Sequence, residues 1–379
     1  MAGLYIHIPF CKQACSYCDF YFSTRQQLLQ PFVDALENEI RHFENTSLCE
    51  ETFQTIYIGG GTPSLLNKQQ LTQLFEALKN TFLLDLKECT IELNPDDVTP
   101  DYLEMLLRLG VNRASMGVQS FSPEILKFMH RAHNPGEAIR ALEALKKTGF
   151  PTFTADLIYG NPGQNPSMLR EDLEQLLKFE PPHVSAYSLT VEPKTRLGKQ
   201  VALGRINPPD DAVVAGHFKI VQSYLEKAGL EQYEVSNFSR PGAEALHNSN
   251  YWSHHNYLGL GPSAHSFWRN QNGAVRWRNR PDLKTYIQKK SETVIEEKEQ
   301  LGPADLAEER LMLGLRTKWG VSEDELQNDY NYQFNSRQKD WLHYQTEQKM
   351  VNYKSGLLKL TREGLRIADL LIVGLLSKQ

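Results

Sequence analysis

Leu4-Tyr5-Ile6-His7-Ile8-Pro9-Phe10-Cys11-Lys12-Gln13-Ala14-Cys15-Ser16-Tyr17-Cys18 is a strand-like apolar run followed directly by three cysteines spaced CxxxCxxC. Three of the chain's five cysteines fall in that one window, a spacing that chemistry rather than chance accounts for. Three thiolates on a short loop suit three irons of a 4Fe-4S cluster, and without a fourth thiolate nearby the last iron is open to a ligand. Zinc is the competing reading, because three Cys and a nearby His such as His7 form a tetrahedral set. Disulfides fit poorly, since an odd number of crowded thiols cannot all pair. Cys49 and Cys89 lie elsewhere and read as small buried residues rather than ligands.

Outward from this window, short apolar runs alternate with longer amphipathic segments as far as residue 230. Strands are expected over 4–8, 55–58, 90–93, 113–118, 152–158 and 183–189, with helices over 25–43, 68–80, 100–109, 136–148, 167–179 and 210–228. Six β-then-α units in series predict a parallel sheet curved into a partial (β/α)6 barrel, with an open doubly wound sheet as the alternative. The unusual polar residues sit at the ends of these strands. The cysteine loop follows the first, Gly59-Gly60-Gly61-Thr62-Pro63 the second, Glu92 and Asn94 close the third and Gln119 the fourth. Asp156 lies near the end of the fifth, and Thr190 follows the sixth. Barrel enzymes build their sites from the C-terminal ends of their strands, so this rim is the expected active site. The glycine run lacks the spacing of phosphate or dinucleotide loops; a close approach of ligand to backbone and a plain tight turn both fit it.

After Ala228 the rhythm stops. Residues 231–300 read as a long, ordered, His- and aromatic-rich connecting loop region, with His247, His254, His255 and His265 crowded together. From 301 to 379 helical periodicity returns around a hairpin-like 351–360 and a last helix over 363–376, which suggests a small α+β, winged-helix-like C-terminal domain. The net charge of -5 argues against broad binding of nucleic acid, and the basic Arg276-Trp277-Arg278-Asn279-Arg280 reads as a solvated loop, a helix cap or a grip for an acidic ligand. No apolar run approaches the roughly 20 residues of a membrane span. The longest, 370–376, reads as part of a buried helix and is compatible with peripheral membrane contact. The first residues enter a strand without a basic leader, so a cytoplasmic location and reduced thiols are expected.

With the glycine turn beside the cysteine loop, the chain resembles the radical S-adenosylmethionine (SAM) superfamily. Tyr5-Ile6-His7-Ile8-Pro9-Phe10-Cys11, Gly59-Gly60-Gly61-Thr62-Pro63, Met116-Gly117-Val118-Gln119-Ser120-Phe121 and Asp156-Leu157-Ile158-Tyr159-Gly160 narrow the likeness. They resemble the oxygen-independent coproporphyrinogen III oxidase family of porphyrin biosynthesis and its HemW-type haem-chaperone branch. The resemblance implies a TIM-like radical-SAM barrel over 1–230, a 4Fe-4S cluster on Cys11, Cys15 and Cys18, and Tyr5 and Tyr17 flanking the SAM site. It further implies SAM contacts at Gly60, Gly61, Thr62, Glu92, Gln119, Arg131, Asp156 and Thr190. Strand-end carboxylates such as Glu92 and Asp156 can accept bonds from ribose hydroxyls or an ammonium, and Arg131 can pair with a carboxylate; buried salt bridges and helix caps are the alternative roles.

Two features separate the branches. The oxidases' loop continues with a further Cys where this chain has Asp19-Phe20, and only ten residues precede Cys11. His247-Asn248-Ser249-Asn250-Tyr251-Trp252 resembles the chaperone branch's HNxxYW motif, which implies haem as cargo with His247 as its candidate ligand. On pattern alone the same residues read as an ordered loop. The expected partners are haem or porphyrin, haem-acceptor proteins and an electron donor. SAM-dependent decarboxylation of coproporphyrinogen is the alternative activity, and a zinc-stabilised nucleic-acid-binding protein the alternative of another class.

Overall fold

Six strands run parallel and in chain order: β1 (Ala2–Ile8), β2 (Thr52–Gly60), β3 (Leu83–Leu93), β4 (Arg113–Gln119), β5 (Thr152–Tyr159) and β6 (His183–Ser188). They are seen in a computed structural model that describes residues 2–270, 273–288 and 295–378. Between them run helices Leu29–His42, Lys68–Thr81, Pro100–Leu109, Pro135–Lys147 and Pro166–Leu177, with Asp211–Lys227 following β6. Their starts are chemically marked. Asn67 with Gln70 and Asn134 with Glu137 form reciprocal capping boxes, and three of these helices carry proline in the first turn. The third strand starts at Leu83, earlier than expected, because its first half is only partly covered and alternates apolar with charged residues.

On each strand successive side chains point to opposite faces. Ile56, Ile58, Ile91, Ala114, Met116, Leu157 and Val184 join the main apolar core, whereas Tyr57, Thr90, Glu92, Ser115, Asp156 and Ser185 line one cavity. Residues from β2 through β6 share that cavity with the loop after β1, so the sheet is curved around it. The ring stays open, because β1 pairs on its other side with β9 and β6 with β8.

The connecting region is not the loop the sequence suggested. It supplies β7 (Glu231–Gln232) and β8 (Asn237–Ser239) at one end of the sheet, and β9 (Tyr257–Leu260), β10 (His265–Asn270), β11 (Gly273–Asn279) and β12 (Ile295–Leu301) at the other. β7, β8 and β9 are only two to four residues long and β11 and β12 are rich in charged and polar residues, so their apolar signal is weak, and one crossing is so tight that a Cβ on Gly259 would stand 2.1 Å from the His265 carbonyl oxygen. The basic patch proves to be β11: Arg276 pairs with Glu299 and Glu309, and Arg278 with Glu296 and Glu297. Charges along the outer strand blunt the sheet edge against pairing with other chains.

A helix missed in the sequence, Leu246–Trp252, packs against β1, β2 and β3 at the N-terminal end of the barrel. The C-terminal unit then builds a sheet ordered β13 (Val321–Ser322), β15 (Leu357–Leu360), β14 (Val351–Lys354), and its apolar core includes Phe267, Ala274 and Leu301 of the large sheet. The expected last helix is two, Arg362–Leu365 and Ala368–Leu376. Leu371, Ile372 and Leu375 are buried, but Leu370 and Val373 are 70% and 65% exposed, so this segment is not buried all round as expected. Among the described residues no helix is long and apolar enough to cross a membrane.

Glu39, buried on helix Leu29–His42, ties the sheet extension to the barrel. Its carboxylate accepts the Gly261 amide at 2.7 Å, the Asn279 amide at 2.7 Å and the Tyr286 hydroxyl at 2.5 Å. Removing a carboxylate that satisfies three buried donors costs about 3 kcal/mol. Glu39→Ala is therefore expected to lower the melting temperature by several degrees and Glu39→Gln by less; equal melting of Glu39→Ala and wild type would contradict this role.

Candidate functional site

The cysteine loop is held before any ligand arrives. The Cys11 amide donates to the Ser23 carbonyl at 3.0 Å, Ser16 bonds the Met129 carbonyl through its amide and the Phe128 carbonyl through its hydroxyl, and Gln13 donates to the His130 carbonyl. Lys12 anchors the loop to Asp96 and Asp97. Cys11, Cys15 and Cys18 line a cavity of about 600 Å³ together with Tyr17, Gly60, Gly61, Thr62, Glu92, Gln119, Arg131, Asp156 and Thr190. Twelve of the fourteen residues singled out in the sequence thus share one space. Burial pushes the Cys11 and Cys18 thiols up, to about 12 and about 11, so binding a cluster there releases protons.

Beside the start of the loop the chain forms a turn without side chains. A Cβ on Gly59 would stand 2.6 Å from the Tyr57 ring, and one on Gly61 2.6 Å from the Phe10 carbonyl oxygen. Gly60 has φ +108°, a conformation that favours glycine. Arg131 donates to Asn94 at 2.7 Å, to the Gly117 carbonyl at 3.0 Å and to Cys15 Sγ at 3.5 Å, while its buried Nε has no partner. Gln119, at φ +65°, likewise holds a buried Oε1 without one. These orphaned atoms beside three thiols fit a polar ligand seated next to a cluster.

Two carboxylates complete the rim. Glu92 accepts the Tyr57 hydroxyl at 2.8 Å and the Gly60 amide at 3.0 Å; burial pushes it up to about 7, the nearby Asp156 adds to the rise, and the two bonds oppose it. Burial raises Asp156 to about 6 against hydrogen bonds from Ser185 and Ser115 and the pull of Arg131.

Tyr5 and His247 lie outside the cavity wall. The Tyr5 hydroxyl donates to His7 Nδ1 at 3.0 Å, and His7 Nε2 donates to the Tyr21 carbonyl at 2.9 Å. Both nitrogens of His7 are therefore engaged away from the thiols, which argues against His7 as the fourth ligand of a zinc site. His247 is 1% exposed, with Nδ1 bonded to Thr55 Oγ1 at 2.9 Å and Nε2 to the Tyr251 hydroxyl at 2.7 Å. Its neighbour Asn248 is the one that reaches the cavity.

The sequence reading missed the deeper cavity wall: Tyr57, Thr90, Arg113, Ser115, Thr154, His183, Ser185 and Tyr187. Its signal was present as alternation, with Thr90-x-Glu92-x-Asn94, Arg113-x-Ser115-x-Gly117 and His183-x-Ser185-x-Tyr187 placing polar or small residues at every second position. Thr90 Oγ1 and His183 Nδ1 are buried there without partners.

Comparison with known proteins agrees with this geometry. Residues 5–176 match the Radical SAM superfamily and residues 301–367 the HemN C-terminal domain. The haem chaperone HemW of Lactococcus lactis is 34% identical over 96% of this chain and 94% of its own length, and that of Bacillus subtilis 34% identical over 96% of each. HemW of Escherichia coli is 38% identical over 69% of each chain. Coproporphyrinogen III oxidase (HemN) of Escherichia coli superposes with a TM-score of 0.86 over 99% of this chain and 89% of its own at 22% identity, a likeness of fold.

The radical SAM family uses a 4Fe-4S cluster and SAM; with Glu92 as one of the SAM contacts that the motif resemblance implies, its ionised carboxylate would accept a ligand donor more strongly than the protonated acid does. Affinity for SAM is expected to be full above pH 7.5 and to fall up to tenfold per unit below about 7, as protonation of Glu92 competes with binding. Equilibrium dialysis from pH 5.5 to 8.5 measures this, and Glu92→Gln should flatten the profile. An affinity that rises on acidification would contradict the role given to this carboxylate.

Proposed function

The chain belongs to the HemW family of radical SAM proteins, and on that premise we propose that it binds haem as cargo and passes it to acceptor proteins. The observation that carries this reading is likeness along nearly the whole chain to relatives that share the name haem chaperone. The cysteine loop supports it. Phe20, 66% exposed at the cavity mouth with Phe22 beside it, stands where the oxidases' loop continues with another Cys. A flat apolar side chain at that place suits a macrocycle.

In this reading Cys11, Cys15 and Cys18 hold the cluster, and Tyr17 closes the site beside Arg131. The cavity-lining backbone of Gly60, Gly61 and Thr62 receives the methionine end of SAM, and Arg131 and Gln119 offer their unpartnered atoms to its polar groups. Glu92, Asp156 and Thr190 serve its ammonium and ribose hydroxyls. A reduced cluster with SAM supplies one-electron chemistry here, which requires an electron donor outside the chain. Of the four histidines crowded in the connecting region, His265 is the exposed one, at the start of β10, and its exposure supports it over the buried, doubly bonded His247 as the candidate haem ligand.

The test combines cargo and chemistry. Reconstituted protein is expected to bind haem one to one by Soret absorption, to transfer it to an apo-acceptor, and to yield no porphyrin product from coproporphyrinogen III with SAM and a reductant. Product above a Cys15→Ser control would replace the chaperone reading with the oxidase; absence of a saturable Soret change would remove haem as the cargo.

A further inference from the structure

The helix Leu246–Trp252 enters the barrel where the strands begin, and its packing leads by contact to the rim. The carboxylate of Glu88 accepts the amides of Leu246 and His247, each at 2.9 Å, and also faces Arg113 at 3.5 Å. This seats the first turn of the helix on β3. Asn250 donates to Thr55 Oγ1 at 3.3 Å, the same hydroxyl that meets His247 Nδ1. The pocket for the imidazole is filled on its remaining side. A Cβ added to Gly3 would stand 2.8 Å from Thr55 Oγ1 and 3.1 Å from the imidazole ring.

Inside this pocket the His247 ring stacks on Tyr57, with centroids 5.3 Å apart and planes 29° apart, and meets Tyr251 edge-on at 5.0 Å. Tyr57 in turn stacks on Tyr5 at 6.2 Å and 29°. Its ring thus has two stacked neighbours, and its hydroxyl donates to Glu92 Oε1. With both imidazole nitrogens bonded and the ring 1% exposed, His247 is fixed rather than waiting for a ligand.

We propose that His247 is a positioning residue for the SAM site: stacked beneath Tyr57, it fixes the phenol that holds the Glu92 carboxylate. The inference rests on the reading of Glu92 as a SAM contact. A histidine serves here because one ring supplies a flat face to the tyrosine and bonds through its two nitrogens to the hydroxyls of Thr55 and Tyr251. The helix that carries it also touches the C-terminal unit, since Arg310 donates to the Trp252 carbonyl at 3.3 Å.

The test is a double-mutant cycle read by SAM dissociation constants on the cluster-loaded full chain, with haem titrated in parallel. His247→Ala is expected to weaken SAM binding about tenfold in the wild-type background and less than twofold when Tyr57 is already Phe, while the Soret titration is unchanged. Additive losses would overturn the proposal. So would unchanged SAM affinity with a lost Soret band, which would make His247 a haem ligand. If His247→Ala does not fold, Tyr251→Phe leaves the ring in place but unties Nε2, and a loss of about threefold that vanishes in the Tyr57→Phe background is expected; a loss that persists there overturns the proposal. Glu92→Gln separates the two readings. If it leaves SAM affinity unchanged, the assignment of the rim fails, whereas an effect of Glu92→Gln without one of His247→Ala defeats only the positioning role.

Discussion

The Glu92 carboxylate, buried within the curve of six parallel strands, is held by a phenol at 2.8 Å and a backbone amide at 3.0 Å. A carboxylate in that position is expensive to ionise, as its rise to about 7 shows, unless a bound cation or hydrogen-bond donor compensates it. The barrel therefore combines two demands that oppose each other. Its outer face must be apolar to bind the helices, and its inner face must keep polar groups dry and oriented. Period-two alternation along each strand meets both, and it distinguishes this hollow barrel from one packed solid with branched side chains.

Keeping such a lumen requires closure where the strands begin. The helix Leu246–Trp252 supplies it, and Glu88 satisfies the first amides of that helix while facing Arg113. The same stretch of chain then returns as β9 beside β1, which continues the sheet into β10, β11 and β12 and gives the C-terminal unit a surface to pack on. Glu39 fixes this extension from the barrel side through three buried bonds. Cofactor rim, plug and C-terminal unit are thus one mechanical assembly rather than separate attachments.

Much of this was legible in the sequence for physical reasons. The six strand-and-helix units carried strong apolar periodicity, and the cysteine spacing, the glycine turn and the strand-end polar residues lay where a barrel rim gathers them. The lumen wall was harder to see, because Thr90, Ser115, Thr154 and Ser185 look like ordinary polar interruptions until the sheet curves them inward. The connecting region was misread as loop because β7, β8 and β9 are only two to four residues long, the outer strands β11 and β12 are rich in charged and polar residues, and β9 and β8 join the barrel through β1 and β6, which are distant in sequence. His247 was singled out by its motif. Its contacts with Thr55, Tyr57 and Tyr251 depend on tertiary packing that no local pattern encodes.

The central claim is that the loop of Cys11, Cys15 and Cys18 carries a cluster whose open iron takes SAM at this rim. Electron paramagnetic resonance of the reduced, reconstituted protein with and without SAM tests it most directly. The account requires a 4Fe-4S signal that shifts on adding SAM and is lost in Cys15→Ser. A signal indifferent to SAM, or a protein that takes up zinc and no iron, would contradict it.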